Sequence, residues 1–357
     1  MTPGPLGVPV PVWALGVSLL SLLIALGALG WQVAKHFLDG GRVKVYLNTA
    51  IWVPEFKLAT NGSGKFRLQD DDSARSVAFG EALELAQLVV ENPGRTPVTI
   101  YSPGLSISGH GKKNHSLVPR MFSTGQAFGP DSAVTDTVVR LEPYARVTFL
   151  LDYWSVLPSL LNDAPRHRVF LRGYVGVAGR TKRPQKSSRR LWWRIQGGTY
   201  TAIEGSPSFT PLAVLWRQMY VRLPEHADDE HDGHPEAGSP VTRGMARYVL
   251  DEAMSRFEER PERADLQAVV DEIARRRGDR FPMLGFSLLE GYEALDRLEG
   301  HLTVWTEGLF HRNHSERRAA KHSADDEPVD DSTAFEGHAD IRTAAESGPE
   351  PGTGRCG

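Results

Sequence analysis

The first pattern along the chain is an uninterrupted apolar stretch. Residues Val12 to Ala34 read VWALGVSLLSLLIALGALGWQVA, and no charged side chain precedes Lys35. A helix rises about 1.5 Å per residue, so this stretch can cross roughly 30 Å of hydrocarbon. Trp13 and Trp31 would lie roughly 27 Å apart along the helix, with each ring near a headgroup layer. The pattern predicts a tail at residues 1–11 and a transmembrane helix at residues 12–34.

Two other interpretations of this stretch are open. Ala28-Leu29-Gly30 could serve as the cleavage site of a signal peptide, although no basic side chain precedes it. A buried helix of a soluble domain would rarely be apolar on every face over such a length. We therefore expect a permanent anchor in the lipid bilayer of the cell membrane.

The charges that flank the stretch indicate its orientation. Lys35, Arg42 and Lys44 follow it, and no basic side chain precedes it. The positive-inside rule then predicts a single-pass protein whose soluble part is cytoplasmic. Because the signal consists of these charges alone, an outward-facing soluble part is the alternative.

Small residues recur along one stripe of the predicted helix, where a second helix could approach closely. They are Ala14, Ser18, Ser21, Ala25 and Ala28. One interpretation is self-association through the anchor, and the other is the ordinary abundance of Ala and Ser in membrane helices.

From residue 40 to residue 203 the pattern changes to short runs of β-branched and aromatic residues, separated by turn residues. The absence of regular helical interleaving predicts a mainly-β domain, an immunoglobulin-like antiparallel sandwich. We predict a short helix at Ser155–Leu161 and a mobile loop at Ala59–Ala74, which is polar and glycine-containing. The predicted strands are Val43–Leu47, Leu83–Glu91, Val98–Tyr101, Thr137–Leu141, Arg146–Leu151, Arg168–Val177 and Arg190–Ile195.

Three segments of this region carry a family resemblance. They are VVENPGRTPVTIYSPGLSI, VRLEPYARVTFLL and RRLWWRI. Together they resemble the β-sandwich module of uncharacterised membrane-anchored actinobacterial proteins, over about a third of the chain. The sequence departs from that pattern at Tyr144, where a turn glycine is usual, and at Pro93. The motif marks turns, so the resemblance implies a fold and no reaction.

Residues 180–194 form a basic segment that also contains Trp192 and Trp193. Anionic lipid headgroups would attract it, each basic residue contributing about 1 kcal/mol. Nucleic acid is another interpretation, with phosphate contacts and stacking on tryptophan, but the short connection to the anchor favours lipid. The third is a solvated hairpin tip, with one tryptophan in the core and one at the rim. The basic residues are Arg180, Lys182, Arg183, Lys186, Arg189, Arg190 and Arg194.

Residues 204–240 are predicted to be a linker, because breakers and acidic residues dominate them. Within them, Leu212–Arg222 fits a short amphipathic helix or a final strand. The same range contains a set of metal-ligand residue types, but it offers no scaffold, and we predict no metal site. That set is His226, Asp228, Asp229, His231, Asp232 and His234.

Residues 241–312 show helical spacing of apolar positions. The stretches are Thr242–Glu259, Glu262–Arg277 and Ser287–Phe310. Their apolar stripes predict core packing in a small bundle, or alternatively a face that binds a partner. Residues 313–357 are polar and poor in aliphatic residues, which predicts a disordered tail.

Composition excludes few functions. The net charge of -3 gives no global attraction to nucleic acid, and the single cysteine, Cys356, permits no internal disulfide. Gly104–Gly109 reads GLSISG rather than G-x-S-x-G, and Gly109–Lys113 lacks the first glycine and the hydroxyl residue of a phosphate loop. We therefore predict no catalytic residues and no cofactor.

The sequence favours a membrane-tethered, non-enzymatic interaction or scaffold protein that binds a protein partner on the cytoplasmic face. An outward-facing module that binds cell-envelope polymer is the alternative. A hydrolase with an unrecognised active site is a third hypothesis, which the sequence favours less.

Overall fold

A computed structural model describes most of the chain between residues 10 and 311. The predicted tail at residues 313–357, the candidate metal ligands between His226 and His234, and Lys182 and Arg183 lie outside the described residues. The described ranges are 10–39, 41–54, 56–62, 64–69, 71–111, 115–125, 128–129, 132–154, 157–162, 164–180, 184–196, 201–205, 208–223 and 239–311.

The helices, in chain order, are α1 Val10–Asp39, α2 Asp71–Ala78, α3 Leu157–Asn162, α4 Pro211–Tyr220, α5 Arg243–Met254, α6 Arg263–Arg276 and α7 Leu284–Arg297. The strands are β1 Lys44–Val53, β2 Lys57–Asn61, β3 Leu83–Glu91, β4 Val98–Ser108, β5 His115–Leu117, β6 Met121–Phe122, β7 Val138–Leu141, β8 Arg146–Leu151, β9 Arg168–Val177, β10 Gln185–Lys186, β11 Trp193–Gln196, β12 Ser239–Pro240 and β13 Asp279–Arg280.

The apolar stretch at the N-terminus is a single helix, α1, of 30 residues. Its segment from Trp13 to Lys35 is long and apolar enough to cross a membrane, and none of it is buried within the protein. Trp13 and Trp31 are both exposed. The predicted apolar helix is therefore confirmed, while its insertion in a bilayer stays a prediction.

Two antiparallel sheets form the centre of the soluble part. The first has the strand order β2-β1-β3-β8-β6, and the second has the order β10-β9-β4-β5, with β11 added beside β9 and β7 beside β4. The predicted β-rich region is thus confirmed as two antiparallel sheets. Leu88 and Phe149 of the first sheet join Ile100 and Leu171 of the second in one fully buried core.

The sheets approach each other closely at Gly173 on β9. A Cβ atom there would overlap the Leu88 side chain of the first sheet. Glycine is therefore required by the spacing of the layers.

Helices cover much of the other side of the first sheet. Trp52, Leu83 and Leu150 on that side share one buried core with Leu215 of α4 and Leu288 of α7. The apolar stripes of the helices therefore pack on the sheet, since a sheet buries each of its apolar faces against another layer. Core packing, one of the two interpretations of those stripes, is what the structure has. Helix α4 contacts α5 and α7, and α6 also contacts both, so the helices pack on one another as well as on the sheet.

Helix α4 resolves the alternatives for Leu212–Arg222 in favour of a helix. The Thr210 hydroxyl accepts a hydrogen bond from the Ala213 amide at 3.2 Å, and Pro211 occupies the first turn. An oxygen cap followed by proline is a strong start for a helix.

The prediction of a mobile loop at Ala59–Ala74 was wrong at both ends. Strand β2 extends to Asn61 and pairs with β1, and α2 begins at Asp71. Asp71 and Asp72 lie in the first turn of α2, where carboxylates favour a helix. Val77 and Ala78 are buried, so tertiary packing holds a helix that is too short to show its period in the sequence.

Asn92 explains the turn motif of the sequence. It is fully buried, and its side-chain amide donates to the carbonyls of Thr96 at 2.8 Å and Glu142 at 3.2 Å. The Tyr144 amide donates to the Asn92 carbonyl at 2.8 Å. One asparagine thereby joins the turn before β4 to the turn before β8. Tyr144 has a φ of 62°, a left-handed conformation that glycine adopts without strain.

Candidate functional site

Strand β9 has two chemically different sides. Val169, Leu171 and Val175 point into the core between the sheets. Side chains alternate along a strand, so Arg168 and Arg172 point outward. Register places Ser106 of β4 beside Arg172 and Arg194 of β11 beside Phe170 on the same side. We call this outer side the basic face; its residues are Ser106, Arg168, Phe170, Arg172, Lys186, Arg189, Trp192, Arg194 and Gln196.

The acidic residues of the chain avoid this region. No Asp or Glu occurs between Asp163 and Glu204, a segment that contains ten Lys and Arg residues. A surface with one sign of charge raises the local concentration of oppositely charged partners. The basic face is therefore a local patch on a chain whose net charge is only -3.

Aromatic rings lie between the cations. Trp192 stacks on Phe170 with a centroid distance of 4.4 Å. The Arg189 guanidinium lies 5.5 Å from the Trp192 ring centroid, and the Arg168 guanidinium lies 5.7 Å from that of Phe170. These cation–π contacts hold the guanidinium groups on the surface of the sheet.

Three cations lie together at the middle of the basic face. The Lys186 ammonium donates to the Ser106 hydroxyl at 2.8 Å, and the Arg172 Nε donates to the Ser187 carbonyl at 2.8 Å. Burial, and then the charge of Arg189, lower the pKa of Arg172. Burial, and then the charge of Arg172, lower the pKa of Lys186. Arg172 and Lys186 are thus each destabilised as cations by burial and then by a neighbouring positive charge.

A cleft opens at the other end of the basic face, where β9 begins. It has a volume of about 530 Å³ and is lined by Arg166, His167, Arg168, Arg194 and Gln196. All of these side chains are polar and most are basic. The cleft therefore extends the positive surface beyond the strand itself.

The predicted basic residues are described at five positions. Arg180, Arg189, Arg190 and Arg194 are exposed, and Lys186 is half-buried. They do not gather at one hairpin tip, because they follow β9, whose 10 residues extend over roughly 30 Å. Trp193 is buried in the core and its Nε1 donates to the Leu47 carbonyl at 3.2 Å. One tryptophan in the core and one at the rim was thus a correct prediction.

Sequence reasoning missed Arg168 and Arg172. Both lie in RVFLRGYV, where arginine alternates with residues that pack in the core. The period of two was the signal that could have found them.

The basic face is connected to the anchor by a direct contact. The Arg180 side chain donates to the carbonyl of Gly41 at 3.3 Å. Gly41 follows the end of α1 at Asp39 by two residues, which is at most about 7 Å of chain. The end of β9 that precedes Arg180 is therefore the end nearest the predicted anchor residues Trp31 and Lys35.

The main buried polar cluster is structural. Glu84 is fully buried and accepts hydrogen bonds from the Tyr153 and Thr201 hydroxyls. Burial raises the pKa of Glu84 and raises that of Tyr153 well above its usual value. In the described part of the chain, no three His, Cys, Asp or Glu residues are grouped as ligands for a metal ion.

No protein-family model matches this sequence, and no curated protein matches it.

Proposed function

We propose that the chain is a membrane-tethered, non-enzymatic interaction protein that lies with its basic face on an anionic bilayer. Helix α1 would be a single-pass anchor in the cell membrane, with the soluble part in the cytoplasm. The two sheets would form an immunoglobulin-like sandwich that carries the basic face on one side. The opposite side, formed by the helices, would bind a protein partner.

The observation that carries the proposal is the contact between Arg180 and Gly41. Because Gly41 lies only two residues after the end of α1, a bilayer that holds α1 must be close to this end of β9. The basic residues that follow along β9 and β11 can then reach anionic headgroups, each contributing about 1 kcal/mol near the surface. Trp192, which is 36% exposed, is the amphipathic type of side chain that suits the interface.

Two orientations of the sheets are compatible with the tether. In an upright orientation only the Arg180 end of the face reaches the headgroups. Arg194 pairs with Phe170 near the other end of β9, which is roughly 25 Å away. In a side-on orientation the whole basic face reaches them. No Asp or Glu occurs between Asp163 and Glu204, and this favours the side-on orientation, since cations at the far end of an upright sheet would not reach the bilayer.

The helical side supports an interaction role. Met283, Phe286 and Leu289 are large apolar residues that are exposed on or just before α7. An exposed apolar cluster commonly marks a protein-binding surface. In the side-on orientation this cluster would face away from the bilayer, where a partner could reach it.

A lipid-contact experiment tests the side-on orientation. Gln196→Cys is introduced together with Cys356→Ser, so that a fluorophore can be attached at the far end of the basic face. The full chain is placed in lipid nanodiscs that contain quencher-labelled lipid and are either anionic or neutral. We expect quenching in anionic nanodiscs that decreases with added salt, because salt screens these charges.

A matched variant provides the control. Replacing Arg189, Arg190 and Arg194 by Gln should abolish the quenching, since these side chains are exposed and hold the face to the headgroups. Equal quenching in anionic and neutral nanodiscs, or quenching that survives in the variant, would refute the proposal.

An outward-facing module that binds cell-envelope polymer is the second candidate, and one observation favours it. A cleft of about 520 Å³ on the uncovered part of the first sheet is lined by Tyr46, Asn48, Gln87, Thr60 and Phe128 among others. Amides, hydroxyls and aromatic rings suit a polyhydroxylated chain better than a charged lipid. A reporter that is active on one side of the membrane only, fused to the C-terminus of the full chain, separates the candidates. Reporter activity on the exported side would contradict a cytoplasmic location of the soluble part.

A further inference from the structure

Three cations lie close together at the middle of the basic face, and two of them are partly shielded from solvent. Arg172 and Lys186 are both half-buried, and Arg189 is close enough to perturb Arg172 electrostatically. In the described residues, no carboxylate shifts the pKa of Arg172 or of Lys186. Like charges that are brought together without a counter-charge destabilise the folded state.

Local contacts hold these cations in place. The ammonium of Lys186 is fixed by the Ser106 hydroxyl at 2.8 Å. The guanidinium of Arg172 is fixed by the Ser187 carbonyl, which accepts from both Nε and Nη2. Arg189 is fixed by its position over the Trp192 ring. Because these side chains are already ordered, binding of an anion would cost little further side-chain entropy of the protein.

Donors are left over for a ligand. An ammonium has three N–H donors and a guanidinium has five, and the contacts described use only some of them. The register also places the Ser116 hydroxyl of β5 beside Ser106 on the same side of the sheet, and Ser116 is exposed. The site thus combines charge with hydroxyl groups, which is the usual composition of a phosphate site.

We propose that Arg172, Lys186 and Arg189 form a binding site for a phosphate monoester group. Such a group carries nearly two negative charges and three acceptor oxygens in a compact volume. It would neutralise the repulsion among the three cations, which a singly charged carboxylate or phosphodiester does less well. This inference rests on the proposed function, because it specifies which anion the basic face selects. The group could belong to a lipid headgroup or to a soluble ligand.

Thermal unfolding of the full chain in uncharged detergent micelles tests the site with inorganic phosphate. A ligand that binds only the folded state raises Tm. At about ten times the dissociation constant, we expect a rise of roughly 2–5 °C for a chain of this size. Chloride at the same ionic strength should give a smaller rise, since it only screens the charges.

Two variants assign the effect to the cluster. Lys186→Gln keeps a hydrogen-bonding group beside Ser106 and removes the charge, and Arg189→Gln changes an exposed residue. Each should raise Tm in the absence of phosphate, because repulsion is relieved, and each should lose the response to phosphate. A purely structural role would lower Tm in the same experiment. Arg190→Gln, next in the chain and outside the cluster, should respond like the wild type.

Nanodiscs distinguish the sources of the group and separate this inference from the proposed function. Phosphatidylinositol 4-phosphate and phosphatidylserine are compared at equal total charge. A higher Tm with the former, lost in Lys186→Gln, supports a lipid headgroup, and a response to inorganic phosphate alone supports a soluble ligand. If neither raises Tm beyond its control while the quenching at residue 196 persists, the phosphate site is refuted and the proposed function stands. If phosphate acts through the cluster and the quenching is absent, the site stands and the bilayer contact fails.

Discussion

The outer sides of the two sheets differ in how they are covered. On the first sheet, α4 and α7 pack over Trp52, Leu83 and Leu150 and exclude water from them. On the second sheet, Arg168, Arg172 and Arg194 point outward, and each of them is half-buried or exposed. The outer side of the first sheet is thus apolar and covered by helices, whereas the outer side of the second sheet is basic and faces solvent.

The difference indicates what kind of partner each side accepts. A bare sheet with apolar residues would need another protein layer, and an exposed apolar patch marks such a surface. The basic face instead presents cations spaced by the stacked rings of Phe170 and Trp192. A surface of this composition is complementary to an anion or to an anionic surface, and it tolerates water while no partner is bound.

The largest expected effect concerns a buried arginine beneath the helices. Arg217 of α4 donates to Asp152 at 2.8 Å, and both side chains are almost completely buried. Arg217→Met removes the closest ion-pair partner of the buried Asp152, whose distance to Arg120 is 3.9 Å. Loss of one member of a buried pair costs about 3–5 kcal/mol. Urea unfolding of the full chain in micelles, followed by tryptophan fluorescence, should show this loss.

The matched control is an arginine on the bare side. Arg194→Met should change the free energy of unfolding by about 0.5 kcal/mol or less, because the side chain is exposed. Equal losses in both variants would contradict the distinction between a covered and a bare sheet.

A smaller effect is expected where α7 crosses α4. A Cβ atom at Gly291 would lie 2.7 Å from the Leu215 Cδ2 atom. Gly291→Ala should therefore cost about 1–2 kcal/mol, since overpacking outweighs the better helix propensity of alanine. In the same helix, a Cβ atom at Gly285 would meet only the flexible end of Gln267, at 3.3 Å. Gly285→Ala should leave the urea midpoint unchanged or raise it, and a shared sign for the two variants would refute close helix packing.

The pH dependence of stability should reveal the buried acid of the first sheet. Burial raises the folded pKa of Glu84 above its ordinary value of 4.5. The folded state then binds more protons than the unfolded state in the window above 4.5, so this contribution to stability decreases as pH rises through it. Glu84→Gln should remove that slope from the free energy of unfolding measured by urea titrations at several pH values. An identical slope in the variant would show that Glu84 is not responsible.

The basic face should show the opposite slope at alkaline pH, with a smaller size. The folded pKa of Lys186 is lowered below its ordinary value of 10.5. Lys186 then binds fewer protons in the folded state than in the unfolded state in the window below 10.5, so its contribution to stability should increase as pH rises through it. Lys186→Met should abolish this increase in thermal unfolding, whereas Arg190→Gln should keep it. An identical slope in the wild type and in Lys186→Met would contradict a lowered pKa of Lys186, because the buried tyrosines contribute equally to both proteins.

The sequence predicted the elements whose patterns are local. Apolar residues without charge predicted α1, and the strands β3, β8 and β9 begin and end where the pattern placed them. The segments that contain Asn92 and Tyr144 were recognised as turn motifs, because turns depend on a few adjacent positions.

The contacts that are distant in sequence could not be predicted in this way. Arg217 donates to the carbonyl of Glu84, which lies 133 positions earlier, and nothing in either local pattern indicates the pair. For the same reason the basic residues were expected at one hairpin tip, whereas pairing with β9 distributes them along a sheet. Helix α2 was missed since its burial depends on the same tertiary packing.

Chemical labelling of arginine in the full chain tests the central claim most directly. The full chain in nanodiscs is modified with phenylglyoxal, and the rate at each arginine is measured by mass spectrometry. If the basic face lies on the bilayer, Arg189, Arg190 and Arg194 should be labelled severalfold more slowly in phosphatidylserine than in phosphatidylcholine nanodiscs, because anionic headgroups attract these cations. Arg263 of α6, which is exposed on the helical side, should react equally in both. Equal rates at Arg194 in the two lipids, with or without protection of Arg180, would contradict the account.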